Sequence, residues 1–267
     1  MLKDTRWAEL APLIEGIRPK GKTPPQDLRR TIEAILWRHD NGAKWRTLPA
    51  ELGPWHRAAQ RFIRWAKLEV WRRLLDLVQR RGVSLGLVCM DGTGIRAHGK
   101  AAGAAKKGSH RAKRDRRFSC TASRCDGRSR GGFGSKACVI ADGQGRAVAF
   151  ALAPGQAHEL PMAEGLLQAL PATPKWGIAN RGDSSRALRE RVWAGGARPA
   201  IPCRRNEEQV ACPAWTCVNR SKAALLMVER LWGRLKAWRA AATRYEKTAT
   251  SFMGVLCLKA ALDWLKP

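Results

Sequence analysis

The stretch Leu85–His98, reading LGLVCMDGTGIRAH, constrains the fold more than any other part of this chain. Its apolar, β-branched and sulphur-bearing residues are bounded by Gly82 and Gly86 before and Gly92 after, which predicts a short buried strand. One acid, Asp91, stands at the carboxyl end of that strand. Carboxyl ends of buried strands are where open α/β sheets place chemistry, because loops there vary above a rigid floor. Asp91 therefore has two readings: a carboxylate facing a ligand, or a cap on the Asp-Gly turn.

The segments after it extend the α/β pattern. Lys136–Ala141 and Ala147–Ala153 flank the turn Asp142-Gly-Gln-Gly145 and predict a β-hairpin. A helix over Glu159–Leu170, a strand at Trp176–Ala179, a helix over Ser184–Trp193 and a strand at Arg198–Ile201 follow. Residues 203–221 read as irregular. Ala223–Trp238 is helical, with Leu225, Val228, Trp232 and Leu235 on one stripe, and a last apolar helix spans about Phe252 to Leu265. This order gives a mixed sheet with flanking helices.

Residues 1–80 read differently, as an all-helical region. Leu28, Ile32, Ile35 and Leu36 fall at helical spacing between Pro24-Pro25 and Asn41-Gly42. After the loop KWRTLPAELG, Pro54 opens a second helix to about Lys67, on which Arg57, Arg61 and Arg64 fall at i, i+4 and i+7. A helix, a turn and a helix with an arginine stripe suit a reader of a DNA groove, although a solvated basic face on a bundle has the same pattern.

Charge narrows the partners. Fifty Lys and Arg against 22 Asp and Glu give +28, an excess that calls for a polyanion. Duplex DNA is the first candidate. A membrane is not, because no apolar run approaches the ~20 residues that span a bilayer. The amino terminus MLKDTRWAEL lacks a signal-peptide core, which predicts a cytoplasmic, nucleoid-associated protein. Between residues 100 and 134 eleven Lys and Arg, Lys106, Lys107, Arg128 and Arg130 among them, face only Asp115 and Asp126. That stretch is too poor in apolar residues to fold alone and reads as a mobile basic loop between two strands, ordered by phosphates. Of the eight Cys, Cys89, Cys138, Cys203 and Cys257 stand singly, while Cys120 with Cys125 and Cys212 with Cys217 form two C-x4-C pairs that could make a four-sulphur site; reduced thiols are the default reading.

On the 223–238 helix, Glu229, Gly233 and Lys236 lie at i, i+4 and i+7, which gives one face an acid, a gap and a base. Alone this is a common surface pattern. Together, VCMDGTGIRAHGKAAGAAKKG, RSRGGFGSKACVIADGQG, ALAPGQAHEL, ANRGDSSRALRE and VERLWGRLKAWRAAATRYEK resemble the DDE transposases of bacterial insertion sequences, in the insertion-sequence-five family. RHDNGAKWRTLPAELGPWHRAAQRFIRW is similar to the segment before the catalytic domain in that family, so the likeness spans nearly the whole chain.

The resemblance implies a ribonuclease-H-like catalytic domain over residues 83–267 behind a helical DNA-binding region over 1–80. It implies two Mg²⁺ (or Mn²⁺) ions held by three acids, which cut transposon ends and join them to target DNA by in-line phosphoryl transfer. It implies double-stranded DNA as partner, both terminal inverted repeats and target, and a homodimer on paired ends. Asp91 matches the first acid, Glu229 the third, and Lys236 the lysine that follows.

The second acid is missing. Where the family has Ala-Asp-Lys-Gly-Tyr-Asp, this chain has Ala179-Asn180-Arg181-Gly182-Asp183-Ser184, so Asn180 holds the expected ligand position. An amide oxygen ligates a cation but brings no charge, and changes even one shell further out cost roughly 10–100-fold in metal affinity or activity. Asp183 reads as the N-cap of the following helix, with a shift of one turn needed before it could substitute. The family's Tyr and Arg upstream of the Glu are Lys222 and Leu225 here. The expectation is a weakened or inactive transposase, the rival being a DNA-binding remnant that occupies transposon ends. His98 and His158 are candidates to orient phosphates or to be structural. Arg204, Arg205 and Asn206, past a strand end, are candidate DNA-backbone contacts.

Overall fold

A computed structural model describes residues 2–20, 27–102, 127–129, 132–157, 160–180, 185–203 and 220–266; at 100, 102, 127–129, 160 and 220–225 it describes the backbone alone. Four helices come first: α1 (Asp4–Ile17), α2 (Leu28–Asn41), α3 (Trp55–Lys67) and α4 (Val70–Gln79). The Asp27 side chain caps α2 by accepting from the Arg30 N–H at 2.8 Å. Gly42 ends that helix at φ 58°, where the Arg38 carbonyl accepts its N–H. No other residue fits there: the backbone is left-handed, and a Cβ would sit 2.8 Å from Cβ of Arg239 and 3.0 Å from the Tyr245 ring.

The sheet follows. β1 (Val88–Ala97) leads through the short α5 (Gly99–Ala102) towards β2 (Gly127–Ser129), β3 (Gly132–Ala141) and β4 (Ala147–Pro154). Then come α6 (Leu160–Gln168), β5 (Trp176–Ala179), α7 (Arg186–Ala194), β6 (Arg198–Ala200), α8 (Arg220–Lys236), α9 (Arg239–Ala242), β7 (Thr243–Arg244) and α10 (Ala249–Trp264). The main sheet order is β4-β3-β1-β5-β6. β1, β3 and β4 form an antiparallel meander, and β5 and β6 add in parallel on the other side of β1. That is the ribonuclease-H-like arrangement, with helices on both faces.

Three expectations are corrected. First, β1 does not stop at Asp91. It runs on through Gly92 and Gly94 to Ala97, because β3 pairs with it all the way from Cys89↔Ala141 to Arg96↔Gly134. Asp91 is therefore mid-strand, and what ends beside it is the parallel neighbour: β5 last pairs at Met90↔Ala179. Second, the 100–134 stretch is not all loop. β2 and the start of β3 lie inside it and pair antiparallel, Gly127↔Gly134 to Ser129↔Gly132, so backbone hydrogen bonding orders chain that is poor in apolar side chains. Third, α7 is capped by Ser185, whose Oγ accepts from the Leu188 N–H at 3.0 Å, and not by Asp183. Asp183 lies outside the described residues.

Side-chain alternation along β1 divides the core in two. Cys89 and Ile95 pack with Val139, Ile178, α8, α10 and the first four helices in one continuous cluster. Val88 and Met90 pack with Ile140 and Ala179 against α6 and α7. In the first cluster, Gly254 of α10 lets the helices close: a Cβ there would meet Trp71 Cδ1 at 2.8 Å and Ala66 Cβ at 3.2 Å. No helix among the described residues is long and apolar enough to cross a membrane.

Candidate active site

Sheet register assembles the site. With Met90 opposite Ala179, the next residues along the two parallel strands are Asp91 and Asn180. Asp91 and Thr93 share the side of β1 that carries Cys89 and Ile95, and Asn180 continues the side of β5 that carries Ile178. This is the face on which α8 packs. Asp91 and Asn180 are both half-buried, and the Asn180 amide Nδ2 donates to Asp91 Oδ1 at 3.4 Å. Residues eighty-nine apart in sequence therefore meet.

Lys236, in the last turn of α8, reaches the same place. Its Nζ donates to Thr93 Oγ1 at 2.6 Å and lies 5.9 Å from the Trp232 ring. Burial lowers the Lys236 pKa from its ordinary value, and the Asp91 charge pulls the other way. Thr93 escaped the sequence reading; its only signal was its place two residues along the strand from Asp91. Glu229 is exposed on α8, two turns before Lys236, which is about 10.5 Å along the axis.

These donors do not fit a pair of divalent cations. Such a pair needs several anionic oxygens in one place. Here the group against Asp91 is an amide that directs a hydrogen-bond donor at the carboxylate, and an ammonium stands two residues along the strand. Among the described residues no three His, Cys, Asp or Glu gather closely enough to hold a metal ion. Nearby Cys89 is buried, and burial, followed by the Asp91 and Asp142 charges, pushes its thiol up to about 12, so it offers no thiolate. Asp142, at the other end of the sheet, is structural: its carboxylate accepts from the Ser84, Gln144 and Arg146 N–H groups and pairs with the Arg146 guanidinium.

The other candidates are dispersed. On α3, Arg57 and Arg64 are exposed, while Arg61 is half-buried, with its guanidinium 5.9 Å from the Trp65 ring. Burial lowers the Arg61 pKa, and the Arg18 and Arg64 charges add to that. The exposed face of α3 also carries His56, Gln60, Ile63 and Lys67, and Arg46 lies over Trp55 at 5.5 Å. His98 has its ring 5.0 Å from that of Tyr245, and its N–H donates to the Arg244 carbonyl at 2.9 Å. Lys106, Lys107, Arg130, His158, Arg204, Arg205 and Asn206 lie outside the described residues, as do the side chains of Arg128, Lys222 and Leu225.

Comparison with known proteins places this arrangement. A family model described as a transposase of the IS4/5 family matches residues 2–75, and a transposase DDE domain matches residues 178–266. An uncharacterised protein, y4sN, of Sinorhizobium fredii is 34% identical over 104 residues, which cover 39% of this chain and 82% of that protein. Among solved structures, the piggyBac transposase synaptic complex with hairpin DNA aligns at a TM-score of 0.45 with 9% identity, over 97% of this chain and 72% of the other. A pre-cleavage Mos1 transpososome aligns at 0.28 with 12% identity, over 93% and 80%. Scores this low decide nothing about the molecule. The two family models flank the strand that carries Asp91 and take in both Asn180 and Glu229, and on them the chain belongs to the IS4/5-type DDE transposases.

Proposed function

We propose that this protein binds double-stranded DNA at the terminal inverted repeats of an insertion sequence, as a dimer on paired ends, and that its cleavage and strand-transfer chemistry is weakened at Asn180. Family membership supports DNA transposition as the process. The charge of +28 supports a polyanionic partner, with the exposed Arg57 and Arg64 and the basic residues 106, 107, 128, 130, 204 and 205 as contacts. Division of the chain into a DNA-binding region over 1–80 and a catalytic domain over 83–267 belongs to the same proposal, with Asp91, Asn180, Glu229 and Lys236 as its centre.

One observation carries the reading of weakened chemistry: the Asn180 amide, not a carboxylate, lies against Asp91. An Asp there would add the negative charge that a divalent cation requires. The test compares Mg²⁺- and Mn²⁺-dependent cleavage of inverted-repeat DNA by the natural chain and by Asn180→Asp. The revertant is expected to cut at least about 10-fold faster. Equal cleavage by both would overturn the assignment of position 180. The second reading, a remnant that occupies ends without cutting, is favoured by the same pair; it predicts end binding by both proteins and cleavage by neither.

A further inference from the structure

Six exposed residues of α3 share one side of the helix: His56, Arg57, Gln60, Ile63, Arg64 and Lys67. At 3.6 residues per turn they fall within an arc of about 120°. Gln60 and Lys67 run along its centre, Arg57 and Arg64 along one margin, and His56 and Ile63 along the other. No acid stands among them. The opposite side of α3 is fixed in the core through Ala58, Phe62, Trp65 and Ala66, with Gly254 of α10 in close approach to Ala66. Arg61, beside the arginine margin, is half-buried against Trp65. The face is therefore rigid, cationic along one margin and neutral between Gln60 and Ile63, and Ile63 is 40% exposed. Attraction to phosphates needs only the cations; an amide and a branched aliphatic chain are residue types that tell one base from another.

We propose that α3 lies in the DNA major groove, where Gln60 reads an adenine and Ile63 meets the methyl group of a thymine one or two base pairs away, while Arg57 and Arg64 hold phosphates along one wall. The inference rests on the proposed DNA binding and deepens it by naming the residues that select the site. The dimensions agree. A major groove about 12 Å wide admits a helix whose diameter with side chains is about 10–12 Å. Side chains at i and i+3 stand about 5–6 Å apart, against a base step of about 3.4 Å. The Gln60 amide nitrogen donates to adenine N7 and its oxygen accepts from the adenine N6 amino group, a pairing that no other base offers in the major groove. Ile63 forms no hydrogen bond and gains only from an apolar partner, which in that groove is the thymine methyl.

The experiment is a selection, in EDTA so that no cleavage intervenes, from a pool of duplexes with about 20 randomised base pairs, two helical turns. The natural chain, Gln60→Ala, Gln60→Glu and Ile63→Ala are compared, each checked for folding by circular dichroism. The natural chain is expected to enrich a site that holds an adenine with a thymine one or two pairs away. Exchange of that adenine pair for G·C is expected to weaken the natural chain about 5- to 100-fold and Gln60→Ala less than about twofold. Gln60→Glu is expected to prefer cytosine at the same position, because a carboxylate accepts from the cytosine N4 amino group. Deoxyuridine in place of the thymine removes only the methyl; it is expected to weaken the natural chain and to leave Ile63→Ala unchanged. Gln60→Ala and Ile63→Ala keep the natural affinity for the unselected pool, since phosphate contacts are untouched. Equal discrimination by the natural chain and Gln60→Ala overturns the reading of Gln60, and indifference of the natural chain to deoxyuridine overturns that of Ile63. Binding to the pool without enrichment overturns both and leaves DNA binding standing. Absence of any binding to the pool removes the DNA-binding proposal as well.

Discussion

His39 offers a test of how the amino-terminal helices are joined to the rest of the molecule. It is wholly buried on α2, its ring centroid 4.4 Å from Phe62, 5.8 Å from Trp45 and 6.0 Å from Trp238. Its Nδ1 accepts from Arg38 Nη1 at 2.8 Å, and Arg38 also pairs with the buried Glu246 at the far end of the chain. Burial, reinforced by the Arg38 charge, holds the His39 pKa well below its ordinary value. The folded protein therefore keeps His39 neutral, while the unfolded chain takes up a proton near its ordinary pKa of about 6.5. With more protons on the unfolded state, stability from this group is complete above about pH 6.5 and falls as the pH drops below it. Between about pH 7.5 and 5.5, a site protonated only when unfolded loses about 1.4 kcal/mol.

His39→Asn retains an acceptor where Nδ1 stands and does not titrate. Urea unfolding of both proteins at the two pH values isolates the effect, since each is compared with itself. The natural chain is expected to lose about 1.4 kcal/mol more than the variant. Glu246 contributes with the opposite sign: burial raises its pKa, so it takes up a proton on folding as the pH falls, but it is present in both proteins. Equal losses would show that His39 titrates in the folded state and that the joint around it is open to water.

Two further outcomes follow from packing and exposure. Gly254→Val forces a branched side chain against Trp71 and Ala66, whose atoms would lie 2.8 and 3.2 Å from its Cβ alone, and is expected to cost about 1–3 kcal/mol or more in urea unfolding; a neutral result would mean that α10 does not sit against α3 and α4. On α3, if its exposed face meets DNA as proposed, Arg57→Gln and Arg64→Gln are each expected to reduce the salt slope of duplex binding by about one, while Arg61→Gln, half-buried beside Trp65, changes it less and instead destabilises the fold. An Arg61 effect equal to that of its neighbours would overturn this division of the stripe.

The sequence by itself determined most of the elements and showed which residue stands at position 180. Period-two and period-3.6 patterns located β3, β4, β5, α2, α3, α8 and α10 to within a few residues, because each element must bury one face whatever surrounds it. The substitution at 180 was equally legible, since it is a matter of composition in a recognisable run. Tertiary structure alone decided the rest. Nothing local in Gly92-Thr-Gly94 predicts strand; partners on β3 supply the hydrogen bonds that carry β1 past Asp91. Thr93 as the anchor of Lys236, the burial of Arg61 and the meeting of Arg38 with Glu246 all join residues whose chain neighbours do not mention one another. Long-range contacts of this kind are set by how faces pack. A chain's periodicity states which side of an element is buried, but not which other side chains it will find there.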